Sequence, residues 1–184
     1  QLKLKVIMKL LRLSIGGISQ FLIATSSWIL IMRMMAEFGS EVLAGYTIGI
    51  RIIIFTILPA WGLSNAAATL VGQNLGALQP HRAERSTWIT AFMNSGFLLL
   101  LSIAFLTVPH FFVNFFEGTE IVKEMAIKTL RIVSFGFLFY GIGMVMSQAF
   151  NGAGDTFTPT LINFICFWLI EIPLAYYLGM ILDW

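Results

Sequence analysis

Charge is what this sequence has least of. Asp, Glu, Lys and Arg make up 11% of 184 residues, under half the usual share of about 25%. A water-soluble chain needs more charge than this to cover its surface. The scarcity excludes a soluble enzyme, a nucleic-acid-binding module and a disordered segment. The formal net charge of +2 is too small to imply a polyanionic partner, so no nucleic-acid partner is expected. Cysteine is nearly missing: the single Cys166 excludes an internal disulfide and a thiolate metal site. The two histidines, His81 and His110, fall in different loops expected on opposite faces. There is no His-x-x-x-His pair, no Asp-Asp cluster, no Gly-x-Ser-x-Gly and no phosphate-cradling loop. No enzyme activity, metal site or cofactor is therefore expected.

What is present is apolar. Hydrophobic residues reach 58% and mean hydropathy is +0.88. Runs free of Asp, Glu, Lys and Arg cover residues 13–32, 52–80, 86–116 and 132–154, and 156–182 is interrupted only by Glu171. A bilayer core of about 30 Å takes roughly 20 helical residues. The runs predict an all-α integral membrane chain with five transmembrane helices, near 12–35, 43–72, 88–109, 128–150 and 159–181. They are too long and too evenly apolar for barrel strands. The first run is likewise too long for a secretory leader, so it is expected to be retained.

Lys3, Lys5, Lys9 and Arg12 precede the first span, and Arg82 and Arg85 separate the second and third. By the positive-inside rule these segments lie in the cytoplasm, with the N-terminus inside. Glu37, Glu41, Glu117, Glu120 and Glu124 mark the other face, where Lys123, Lys128 and Arg131 weaken the contrast. The chain begins at Gln1 and stops at Leu182-Asp183-Trp184, where a fifth span ends. An odd span count with abrupt ends is expected of a piece of a longer protein.

The second span is rich in small residues. Pro59 predicts a kink. Gly45 with Gly49, and Gly72 with Gly76, are small-residue steps that permit close helix approach. A bendable transporter helix is the alternative to simple packing. Residues 151–159 read as a turn: Gly152 and Gly154 supply turn conformations, Thr158 caps the fifth helix and Pro159 opens it. Asp155 either completes that turn or contacts a basic segment at Arg82 or Arg85. Polar residues inside spans need partners. Gln20 and Ser27 share a helix face with Ala24. Asn65, Tyr140 and Glu171 join them as candidates for a substrate cleft, against the plainer role of interhelical glue. Glu171, two residues before Pro173, is the one carboxylate at membrane depth. It must be neutral, paired or facing water.

Two motifs carry a resemblance. Pro59-Ala-Trp-Gly62, then Ala-Ala-Ala-Thr-Leu-Val-Gly72-Gln73-Asn74-Leu-Gly76-Ala77, followed by Arg82-Ala83-Glu84, resembles the MATE family of multidrug and toxic compound extrusion transporters. Gly39 and Leu43-Ala44-Gly45-Tyr46 look like that family's approach to the same helix. Ala149-Phe150-Asn151-Gly152-Ala153-Gly154-Asp155-Thr156, with Pro159 and Asn163, is similar to its later loop signature. The resemblance implies most of the second six-helix lobe of a two-lobe transporter, with the first lobe and last helix outside this chain. It implies alternating access and export of cationic or amphipathic compounds in exchange for protons or sodium, across a bacterial inner membrane. Sodium-coupled members of one branch carry Glu in the first helix of this lobe and Asp in the fourth. Counting without gaps puts those positions at Ala24 and Tyr140, neither acidic, which argues for protons. The alternatives are a flippase of lipid-linked sugars, an integral-membrane lipid-modifying enzyme and a structural membrane subunit. A flippase would be expected to show several cations in the cleft, and only Arg51 lies well inside a span.

Overall fold

The computed structural model describes residues 4–181, with the side chains of all but residues 5, 6, 9, 12 and 13. Of the topology markers, Lys3 lies outside the described residues, as do the side chains of Lys5, Lys9 and Arg12; so does the terminal Leu182-Asp183-Trp184. Among the described residues there is no strand. The helices are α1 (Leu4–Glu37), α2 (Ser40–Gly76), α3 (Pro80–Thr107), the short α4 (Pro109–Val113), α5 (Glu120–Ser134), α6 (Phe137–Gly152) and α7 (Phe157–Phe164). The last span continues through a wider π-helical stretch, π1 (Ile165–Glu171), then α8 (Ile172–Tyr176) and π2 (Tyr177–Ile181).

The helices are longer than the charge-free runs predict. At 37 residues, α2 is roughly 55 Å long. Absence of charge marks only the part in hydrocarbon, and helical propensity carries the chain on past it. Arg82 and Arg85 therefore lie in the first turns of α3, not in a loop. α2 also runs unbroken through Pro59.

The fourth expected span, 128–150, is two helices. α5 and α6 meet at about Phe135-Gly136 with a 60° bend. The break follows from composition. In α5, Val122, Ala126, Ile127, Leu130 and Ser134 are buried along one helical stripe, while Lys123, Glu124, Lys128 and Arg131 keep much of the remainder polar. α6 is apolar nearly throughout. Among the described residues four helices are long and apolar enough to cross a membrane, or five if the bent pair is one span.

The chain divides into two compact units. One holds α1 and the last span, the other residues Phe38–Ala153. In the first, contacts pair Gly16 with Thr160 and Ser27 with Glu171. Positions therefore advance together along both helices, which run parallel.

In the second unit, α2, α3, α5 and α6 enclose a core of Ile52, Ile53, Ile57, Leu98, Phe105, Leu130 and Phe137. Phe105 meets Phe112 and Phe137 edge-on, with ring centroids 4.9 and 5.9 Å apart. Close approach is set by small residues. A Cβ on Gly45 would lie 2.6 Å from the Val122 carbonyl oxygen, and one on Gly49 2.8 Å from Thr129. α3 turns a stripe of Ser102, Ser95 and Asn94 toward the bent pair. Ser102 Oγ donates to Ser134 O (2.9 Å), and Asn94 Nδ2 to Gly141 O (3.0 Å). Those polar groups are glue between helices.

Candidate functional site

The polar face expected on the first span is real and extends further than expected. Gly16, Gln20, Ile23 and Ser27 recur at helical spacing along α1, and each meets the last span. A Cβ on Gly16 would overlap the Thr156 side chain. Gln20 Nε2 donates to Thr156 O at 3.2 Å. Trp168 Nε1 donates to Ile23 O at 3.3 Å. Ser27, 2% exposed, donates from Oγ to Glu171 Oε2 at 3.0 Å. Three of the expected cleft residues, Gln20, Ser27 and Glu171, thus lie along one helix–helix seam. Glu171 closes π1 two residues before Pro173, which has no N–H to bond the carbonyl of Leu169. π-Helical turns inside α-helices concentrate at functional positions.

At the start of the last span the expected roles change. Thr158 is not the cap. Asp155 Oδ1 accepts from the backbone N–H of Phe157 and of Thr158, both at 3.1 Å, and the Thr158 hydroxyl donates to Oδ2 at 2.5 Å. A carboxylate satisfies two of the free N–H groups of a helix start better than a hydroxyl can. These bonds, the Thr158 hydroxyl foremost, hold the Asp155 carboxyl below its ordinary range. Pro159 follows inside α7 and is buried, rather than opening the helix. Gly154, with φ of +85°, is the turn residue, as expected.

Gly152 is not a turn residue. It ends α6, and a Cβ there would overlap the Ala68 carbonyl oxygen and lie 2.7 Å from Ala68 Cα. A Cβ on Gly72 would approach Gly152 O to 3.3 Å. The motif of the second span and the motif after the fourth are therefore two sides of one tight contact between α2 and α6. At Gly76 and Gly62 a Cβ would have nothing within 4 Å, so the second small-residue step is used only at Gly72. Asn74 Nδ2 bonds its own helix at Leu70 O (2.8 Å). Pro59 and Gln73 are exposed.

Asn65 belongs to this second unit. Its Oδ1 accepts from Gln148 Nε2 at 3.1 Å, and Gln148 Oε1 accepts from Asn151 Nδ2, also at 3.1 Å. Gln148 is not among the expected site residues. Its spacing of three from Asn151 is the available signal. Tyr140, on α6, is 46% exposed.

A second feature beyond the sequence expectations lies beside the glycine contact. A cavity of about 370 Å³ opens between α2, α3 and α6, with Val71, Glu84, Trp88, Met146 and Phe150 among its walls.

Comparison with known proteins adds the following. The family model MatE matches residues 17–177. The chain is 28% identical over 141 residues to a probable multidrug resistance protein NorM of Thermotoga maritima, covering 75% of this chain and 30% of that protein. It is 23% identical over 178 residues to the probable multidrug resistance protein YoeA of Bacillus subtilis, covering 95% and 38%. A probable NorM of Pseudomonas aeruginosa shares 27% over 179 residues, covering 95% and 36%. The chain therefore spans about a third of the length of these relatives.

Proposed function

Given that this chain belongs to the MatE family, we propose that it is most of the second lobe of a secondary exporter. The whole protein would move cationic or amphipathic drug-like compounds out of a bacterial cell across the inner membrane by alternating access. The match over residues 17–177 carries the reading. The names of the three relatives given above, each a probable multidrug resistance protein, support it. The first lobe and a twelfth helix would complete the cleft, with the N-terminus of this segment in the cytoplasm.

Protons are the proposed coupling ion. Ala24 and Tyr140 provide no carboxylate at the positions where a sodium-coupled branch places them. Glu171 is the proposed proton carrier on this chain, with Gln20, Ser27, Asn65 and Tyr140 as proposed cleft residues. The partner of Glu171 favours this role. A hydroxyl can donate to a carboxylate and accept from a carboxylic acid, so Ser27 can hold both protonation states. An arginine partner would hold only the ionised one.

The test is efflux of ethidium by the full-length protein in a strain lacking other exporters. Full-length protein should confer efflux that a proton uncoupler abolishes. Residues 1–184 alone should confer none, because the cleft needs both lobes. Efflux from this segment by itself, or none from the whole protein, would refute the reading.

A further inference from the structure

α2 holds the bent pair at two places. Near its start, a Cβ on Gly49 would lie 2.8 Å from Thr129 of α5; further on, Gly152 at the end of α6 rests on the Ala68 backbone. Gly49 and Ala68 are 19 residues apart, whereas Thr129 and Gly152 are 23 apart. The bend absorbs the difference. In straight helix 23 residues span about 35 Å and 19 span about 28 Å, and the 60° bend brings the longer stretch down to about 31 Å. Without the bend, 23 residues from Thr129 would reach as far as 23 residues from Gly49, and Gly152 would stand opposite Gly72. Small residues repeat on α2 at that spacing of four. Ala68, Gly72 and Gly76 lie along one stripe, and the last of them faces open space. The same shift carries Gln148 from Asn65, its present partner at 3.1 Å, to Thr69, whose hydroxyl can receive it.

The bend is held from outside. No proline forces it. Between α5 and α6 the N–H of Gly136 turns back to Val133 O (3.1 Å), and the helical ladder resumes with Tyr140 N–H on Gly136 O (2.9 Å). Ser134 O, which would accept from the N–H of Leu138 in a continuous helix, accepts instead from the Ser102 hydroxyl of α3 at 2.9 Å. Ser95 Oγ donates to Leu138 O at 3.3 Å, and Asn94 Nδ2 to Gly141 O at 3.0 Å. Three side chains of α3 thus grip carbonyls on both sides of the break. The grip is imperfect. Asn94 is fully buried, and among the described residues its Oδ1 has no partner. A buried acceptor left in this way works against the bent state. Gly136 has no side chain to cap α6, so the first N–H groups of that helix lack the carbonyls a continuous helix would give them. We infer that the α5–α6 joint is a hinge with two states. In one it is bent and latched by Ser102, Ser95 and Asn94, with Gly152 on Ala68. In the other it is a continuous α-helix, with Gly152 one turn further along α2 at Gly72. Packed helices switch between discrete arrangements by one-turn slips of this kind.

The experiment is pulsed electron resonance on the full-length protein in lipid nanodiscs, with spin labels at Ile121→Cys and Phe150→Cys and no other cysteine. Both positions are exposed. Their backbones lie about 38 Å apart across the bend and about 44 Å apart in a continuous helix. Two populations, separated by about 6 Å, are expected. Ser102→Ala leaves Ser134 O without its donor and should raise the ratio of long to short about two- to tenfold, the worth of one hydrogen bond. Gly136→Ala should raise it about two- to fivefold, because alanine favours a helix interior. Its Cβ would meet only Val133 O, at 3.5 Å. Gly76→Leu should deplete the long population. In that state Gly76 would stand to Gly152 O as Gly72 does now, with a Cβ 3.3 Å away, whereas in the bent state it has free space. The short distance alone in wild type, Ser102→Ala and Gly136→Ala would show a rigid bend and overturn the proposal. So would the long distance alone in all three, a ratio that Ser102→Ala leaves unchanged, or a long population that Gly76→Leu leaves intact. The distances are read without substrate, so the outcome is independent of the exporter reading.

Discussion

The Ser27 hydroxyl of α1 donates to the Glu171 carboxylate of the last span across 3.0 Å. An acid at membrane depth costs about 2.5 kcal/mol or more unless it is neutral, paired or reached by water. Here it is half-buried and held by a neutral hydroxyl at the end of a π-helical stretch. The same seam carries Gln20 and Trp168 on backbone carbonyls. Of the four side chains Gln20, Ser27, Trp168 and Glu171 that form these bonds, Glu171 is the carboxylate and can change charge.

If Glu171 carries the coupled proton, Glu171→Gln in the full-length protein keeps shape and hydrogen bonding but removes titration. Ethidium efflux should then lose its dependence on pH between about 5.5 and 8, while ethidium still binds. Ser27→Ala should move the pH midpoint without abolishing the dependence. Wild-type pH behaviour in both variants would leave the pair a structural contact.

The legible parts of the fold are those set by transfer energy. Charge in hydrocarbon is costly, so charge-free runs locate the spans of α1, α2, α3 and the last helix. Their starts come out late because α1, α2 and α3 begin ahead of the apolar runs, and α3 stops at Thr107, two residues before the expected end at 109. The bend at Phe135-Gly136 is hidden for a different reason. Lys123, Lys128 and Arg131 look like loop charges, although Val122, Ala126 and Leu130 between them already form a helical stripe. Gln20 and Ser27 can be read because spacing of seven keeps one helix face. Gly152 cannot: turn and close approach both favour glycine, and only Ala68 opposite it decides between them. The cavity at Glu84 needs three segments to converge, which no local pattern reports.

The topology is tested by single cysteines in a Cys166→Ser background. Gln79 lies in the turn before α3 and Glu117 in the segment before α5, on opposite faces if α3 crosses once. In intact cells an impermeant maleimide should label Glu117→Cys and leave Gln79→Cys untouched until the membrane is opened. The reverse pattern would invert the proposed orientation. Equal labelling of both would show that α3 does not cross.

Asp155 gives a pH prediction of definite sign. Its carboxyl titrates below the ordinary value of 3.8 because Thr158 bonds the ionised form. A depressed folded-state value stabilises above 3.8 and loses that contribution only as pH falls through the lower folded value. Hydrogen exchange at the amides of Phe157 and Thr158 should therefore be equally protected, after correction for intrinsic rates, at neutral and mildly acidic pH. Asp155→Ala should lose that protection at every pH. Asp155→Asn, still an acceptor, should keep much of it. Protection that fades near neutrality in the wild type would contradict the assignment.

The glycine contact separates two positions that look alike in sequence. Gly152 faces the Ala68 backbone with no room for a Cβ, whereas Gly76 at the end of α2 faces open space. Gly152→Ala places a methyl against backbone atoms, which cannot turn aside as a side chain could. Either α2 and α6 separate or the end of α6 unwinds. Overpacking of this kind costs about 1–3 kcal/mol. Gly76→Ala should be neutral or slightly stabilising, since alanine favours the helix by about 1 kcal/mol in its interior and less at its end. Thermal unfolding of the full-length protein, followed by fluorescence-detected size exclusion, should show a clear loss of Tm for Gly152→Ala and none for Gly76→Ala. Ala68→Gly should not rescue Gly152→Ala, because the clash is with the Ala68 backbone and not its methyl. Rescue by Ala68→Gly, or equal losses at the two glycines, would mean that α2 and α6 are not packed through this contact.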